Sequence, residues 1–147
     1  MENIEQKIYS VALEKVKGIQ KTLSDKEITD FIKDAVLGLE KALNQSGFNC
    51  NIGISDPLTS SAGALFYVYL YLVDKDKTLD IFQYVLPDSS SPPPTFTLIS
   101  MGKYFYMYSM EGITSKVFDI LTDDIVLASI IYKISLINKL KDLKMPT

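Results

Sequence analysis

The sequence contains no histidine, no arginine and no tryptophan, and its one cysteine, Cys50, has no second thiol to pair with. Each absence removes a class of chemistry. Without histidine there is no Ser-His-Asp or Cys-His catalytic unit, and the commonest metal-binding side chain is missing too. All fifteen basic residues are lysine, which cannot form the planar two-pronged contact by which arginine grips phosphates and guanine edges. The net charge of −3 divides as about −1 over residues 1–46, −3 over 47–111 and +1 over 112–147. No basic stripe supplies the counterion release that drives nucleic-acid binding, so no nucleic-acid partner is expected. Cys50, with no base to activate it, reads as a small buried apolar residue in a reducing compartment.

Export and membrane signals are missing as well. The N-terminus, MENIEQK, has no apolar stretch of the kind a secretory signal needs, and a cytoplasmic location is expected. The Asn44-Gln45-Ser46 match to a glycosylation sequon then reads as chance. The longest apolar run near the C-terminus, Ile125 to Ile137, is interrupted by Ser129, Lys133 and Ser135 and falls short of the roughly 20 residues that span a bilayer. It reads as a buried helix, and no membrane partner is expected.

What is present fits one soluble domain covering residues 1–147, with 47% apolar and 22% charged residues. Ile4, Ile8, Val11, Ala12, Val16 and Ile19 recur at helical spacing and predict an amphipathic helix over about 3–22. Ser24-Asp25-Lys26-Glu27 has capping-box spacing and opens a second helix over about 25–45. Its stripe runs Ile28, Phe31, Ile32, Ala35, Val36, Leu39, Ala42 and Leu43, and Gly47 suits the residue just past its end.

From Phe48 the period falls to two, and β-branched and aromatic residues replace Lys, Glu and Ala. Strands are predicted over Phe48–Ile54 (broken at Gly53), Ala64–Val73, Leu79–Leu86, Thr95–Ser100 and Lys103–Met110. The segments from Thr59 to Gly63 and from Pro87 to Pro94 (PDSSSPPP) read as loops, the second partly polyproline. After Gly112 the helical period returns, with Val117, Phe118, Ile120 and Leu121 in a short helix. Thr122-Asp123-Asp124 caps a long helix over about 122–144. That helix is apolar on more than one face, at Ile125, Val126, Leu127, Ile130, Ile131, Ile134, Leu136, Ile137, Leu140 and Leu143, and must be deeply sandwiched or shared with another subunit. The expected fold is α+β: an antiparallel sheet of about five strands over residues 48–110, packed with two N-terminal helices and a long C-terminal one.

The most distinctive pattern is tyrosine at alternate positions. Tyr67, Tyr69 and Tyr71 share one face of their strand, opposite Phe66, Val68, Leu70 and Leu72, and Tyr104, Tyr106 and Tyr108 repeat the pattern. With Tyr84 on an intervening strand, seven tyrosines can line one sheet surface. A half-solvated sheet explains such a face without any function, since tyrosine is a good strand former whose hydroxyl reaches water. A contact surface explains it too, because tyrosine offers large area with few rotatable bonds. A pocket for a planar small molecule is the third reading.

Other sites fail on inspection. Asp74-Lys75-Asp76-Lys77-Thr78-Leu79-Asp80 alternates oxygen-bearing side chains, but Leu79 stands where a calcium loop needs glycine and Val85 where it needs a bidentate acid, leaving a solvated hairpin tip. Ser60 and Ser61 lack both a nucleophile elbow and a base. No G-K-[ST] follows Gly53 to Gly63 as a phosphate loop requires. Asp123 and Asp124 read as helix-capping acids. No metal and no cofactor are expected. The function that emerges is a non-catalytic protein-binding module of immunity, antitoxin, chaperone or accessory-subunit type. Its partner is another protein, a second copy of itself in a homodimer, or both. The alternative is a small-ligand-binding or sequestering protein with a tyrosine-lined pocket.

Overall fold

Two helices open the chain, as the 3.6-residue period requires, but their apolar stripes meet different fates. The structure is a computed structural model that describes residues 3–21, 23–60, 63–87 and 93–142. Helix α1 (Ile4–Gln20) starts where Asn3 Oδ1 accepts the Gln6 N–H at 2.9 Å. None of its residues is buried: Ile4, Ile8, Val11, Val16 and Ile19 all stand exposed, with Tyr9 beside them. Helix α2 (Asp25–Gln45) begins at Ser24, whose Oγ accepts the Glu27 N–H, and ends at Gly47, whose φ of 100° turns the chain back so that the Phe48 N–H reaches Leu43 O. Its stripe does enter the core, through Ile28, Ile32, Val36, Leu39 and Leu43. At about 1.5–3 kcal/mol for each such side chain, that face anchors α2.

The sheet has six strands: β1 (Cys50–Ile54), β2 (Leu58–Ser60), β3 (Gly63–Leu72), β4 (Lys77–Val85), β5 (Phe96–Ser100) and β6 (Lys103–Met107). All pairings are antiparallel in the order β1-β3-β4-β5-β6, with β2 also on β3. Two tight turns follow from the backbone: Asp76 (φ 51°) closes β3–β4, and Met101 (φ 51°) with Gly102 (φ 76°) closes β5–β6 in the primed geometry that matches sheet twist. The expected loop from Thr59 to Gly63 is instead largely strand, because Leu58 and Thr59 pair with Leu65 and Ala64. Ser61 and Ala62 lie outside the described residues, as do positions 88–92 of the proline segment and Leu143, expected in the C-terminal helix. Gly53 does not break β1, which continues in register past it to Ile54↔Val68.

Helices α3 (Met110–Leu121) and α4 (Asp124–Asp142) complete the chain. Ser109 caps α3 by accepting the Gly112 N–H, and Asp123 caps α4 by accepting the Ile125 N–H at 2.7 Å. One core holds buried residues from α2, from α3 (Ile113, Val117, Ile120, Leu121) and from α4 (Val126, Ile130, Ile134), together with Val68, Leu70, Leu72, Phe82, Tyr84, Phe96 and Leu98 of the sheet. Helix α4 is therefore not sandwiched. Ile125, Ile131 and Leu136 stand exposed on its outer side, so only one of its apolar faces is covered. No helix among the described residues is long and apolar enough to cross a membrane.

Candidate functional site: the open face of the sheet

Strand parity sends Val68, Leu70 and Leu72 to the helices and their neighbours to the other side. Among the described residues, those paired on the opposite face contribute nothing to the core cluster. The register assembles it in rows. One row runs Tyr67–Gln83–Ile99–Tyr104 and the next Leu65–Val85–Thr97–Tyr106. Two shorter rows, Gly53–Tyr69–Asp80 and Asn51–Tyr71–Thr78, lie beyond the irregularity at Val68/Tyr69, where β4 carries Ile81 as an extra residue. Five tyrosines thus share one surface. Three strand spacings, about 14 Å, separate Tyr67 from Tyr104, with Gln83 and Ile99 between them. The rings form two clusters joined by a polar and an aliphatic side chain, not one continuous aromatic sheet.

Their environments differ. Tyr104 and Tyr106, on the sheet's last strand, are 61% and 59% exposed, whereas Tyr67, Tyr69 and Tyr71 are half-buried. A Cβ on Gly53 would fall 2.7 Å from Tyr69 Oη and 2.8 Å from its Cζ. The missing side chain is what lets the Tyr69 ring lie across β1. Tyr71 donates from its hydroxyl to Asp76 Oδ1 at 2.9 Å. That hydrogen bond, with the carboxylate's charge and some desolvation, pushes the Tyr71 phenol up from its ordinary value. Asp80, opposite Tyr69, is a second acidic group beside these rings. Asn51, Gly53, Tyr69, Tyr71, Thr78 and Asp80 line a shallow depression there.

Two of the seven tyrosines expected on this face do not belong to it. Tyr84 pairs with Phe66 and Leu98, which face the helices, and it is fully buried. Its ring stacks on Phe66 (5.0 Å, 13° between planes) and Phe96 (5.8 Å, 24°). Counting from Val68↔Phe82, Phe82 and Tyr84 face the core, whereas before the bulge it is Lys77 and Leu79 that pair with core-facing residues, so the parity is set by pairing and is not visible in β4 alone. Tyr108 lies past the end of β6 and lines a depression with Ile19, Leu23, Pro87, Pro93 and Pro94, at the end of α1.

The strand-edge contacts had no signal in the sequence. Asn44 and Glu40, one turn apart on α2, reach the outer edge of β1. Asn44 Oδ1 accepts the Cys50 N–H at 3.1 Å, its Nδ2 donates to Cys50 O at 2.9 Å, and Glu40 Oε1 accepts the Ile52 N–H at 2.6 Å. The sequon asparagine is thus a strand clamp. Cys50 itself is buried, and burial, with Glu40 nearby, pushes its thiol up from the ordinary value, the opposite of what a nucleophile needs. Among the described residues no group of three or more Cys, Asp or Glu converges as metal ligands would. Comparison with protein-family models, with curated proteins and with solved structures gives no match.

Proposed function

We propose that this chain is a non-catalytic protein-binding module, acting in the cytoplasm as an immunity, antitoxin, chaperone or accessory-subunit protein, and that the open sheet face is its contact surface. The observation that carries this reading is the placement of five tyrosines, Tyr67, Tyr69, Tyr71, Tyr104 and Tyr106, on the face with no helical layer. Rings there add little to folding, since cross-strand pairs contribute about 0.2–1 kcal/mol each. A tyrosine desolvated in an interface contributes about 2 kcal/mol or more to binding. Rings that carry a hydroxyl suit a surface that is wet when free and dry when covered.

The test replaces Tyr67, Tyr69, Tyr104 and Tyr106 together by serine. The expected result is a folded protein with a melting temperature lowered by only a few degrees, and a dissociation constant for the captured partner weakened by about a hundredfold or more. Capture from the native host identifies the partner, and titration of the two purified proteins measures the change. Equal affinity for the wild-type and serine chains would refute the reading. A small molecule co-purifying with the wild type alone would favour a ligand at the Tyr69–Asp80 depression instead.

A further inference from the structure

The two edges of the sheet are finished differently. On either side of β1 the Val73 N–H donates to Asn49 O and the Ser55 N–H to Tyr67 O, so by alternation Cys50, Ile52 and Ile54 point their main-chain groups outward. Asn44 and Glu40 cap the first two of these. Such capping blunts an edge against strand addition. At the other edge, β6 follows a two-residue turn, which makes Ser100 and Lys103 a hydrogen-bonded pair and sends the N–H and C=O groups of Tyr104 and Tyr106 outward. Among the described residues no side chain or loop bonds to them. They open onto a groove walled on its other side by Gly112, Ser115, Lys116 and Asp119 of α3.

We infer that β6 is the interface of a symmetric dimer, in which β6 of a second copy adds antiparallel to this edge across a two-fold axis at Phe105. This goes beyond the face reading, because it concerns the main-chain edge of the strand and not the rings above it. The parity is self-complementary: an antiparallel copy centred on Phe105 sets Tyr104 against Tyr106 of the second copy, both with main-chain groups pointing outward, as a hydrogen-bonded pair requires. Lys103 then meets Met107 of the second copy, not a like charge. Lys116, whose ammonium lies 4.1 Å from the centre of the Phe105 ring, and Asp119 sit one turn apart on the α3 wall. Reversed by the two-fold axis, Lys116 of each copy faces Asp119 of the other. Because Asn44 and Glu40 occupy two of the three outward positions of β1, growth stops at two chains and does not continue as an open fibre.

The test is the oligomeric state of the full chain by analytical ultracentrifugation up to about 100 µM, a range that covers weak small-interface dimers. The wild type is expected at about twice the chain mass of 16.5 kDa. Tyr106→Pro removes an outward donor without touching the β5 ladder, and is expected to leave a folded monomer with the helical and strand signal of the wild type. Lys116→Asp sets like charges together and should weaken the dimer at least about tenfold, and Lys116→Asp with Asp119→Lys should restore it. A wild-type monomer throughout the range overturns the inference and leaves the edge to a foreign strand. So does a dimer that survives Tyr106→Pro, or one that Ile8→Asp in α1 abolishes while Lys116→Asp does not. Serine at Tyr67 and Tyr69 leaves this edge untouched, so loss of partner binding there and loss of the dimer here are separate results.

Discussion

Tyr84 is a phenol where the core needs only a ring. Its hydroxyl is buried and has no hydrogen-bond partner among the described residues, while its ring is held between Phe66 and Phe96. An unsatisfied buried hydroxyl costs about 1–3 kcal/mol. Tyr84→Phe keeps the stack and removes that cost, so the melting temperature should rise by about 2–4 °C per kcal/mol recovered in a chain of this size. Burial also pushes the Tyr84 phenol up to about 12, against about 10 in the unfolded chain. The folded state therefore holds its proton where the unfolded state has lost it. The stability that depends on Tyr84 staying protonated is intact below pH 10 and falls as the pH climbs from 10 to 12, by at most about 1.4 kcal/mol per pH unit. The advantage of Tyr84→Phe should widen over that window, as denaturant melts at pH 9 and pH 11 will show. A phenylalanine variant less stable than wild type at both pH values would mean that the hydroxyl has a partner. Residue type was legible here but residue environment was not: nothing in Phe82-Gln83-Tyr84 tells which side of β4 faces the helices until Val68 has paired with Phe82.

At the scale of elements, the helices and most strands follow from periodicity and caps, because both are local. Ser24, Gly47 and Asp123 act at the helix ends where their chemistry placed them. The strand order is not local, and neither is the clamp on β1, which joins residues 6 and 12 positions apart in sequence. Asn44→Ala leaves the Cys50 N–H and C=O without partners and should destabilise the fold by about 1–3 kcal/mol in a urea melt. Combined with Glu40→Ala, it opens the second edge of the sheet. At concentrations where the wild type is dimeric, that double variant should form larger species seen by light scattering. If it unfolds and refolds as a dimer of unchanged size, edge capping does not limit assembly.

For the molecule as a whole, stability is unevenly distributed. Helices α2, α3 and α4 and the central strands share one core, while α1 buries no residue and approaches the rest where Gly18 nears Ser109. Opening α1 exposes little new apolar surface, so its amides should exchange through local opening at well below the global unfolding free energy, and those of α2, β3 and β4 at close to it. Hydrogen exchange followed by mass spectrometry at several denaturant concentrations separates the two. Protection of α1 equal to that of α2 would show that its stripe of Ile4, Ile8, Val11, Val16 and Ile19 is covered in solution.

The sequence by itself determined the α+β class, the antiparallel sheet between helices, the helix ends at Ser24, Gly47 and Asp123, the two-residue turn at Met101-Gly102 and the pairing of tyrosines by parity within β3 and within β6, but not the start of α3, where the expected strand through Met110 gives way to a helix capped by Ser109. It also determined the absence of histidine and arginine chemistry. All of these are set by composition, or by neighbours within a few residues along the chain. The tertiary structure alone decided which apolar stripes are covered: the α2 stripe is buried and the equally regular α1 stripe is not, because periodicity states that a face exists but not that another surface reaches it. It likewise decided that Tyr84 lies inside while five tyrosines lie outside, and that one sheet edge is capped while the other is open. Those outcomes depend on register and on contacts between residues far apart in the chain, and strand pairing supplies them only once the whole sheet has closed on its helices.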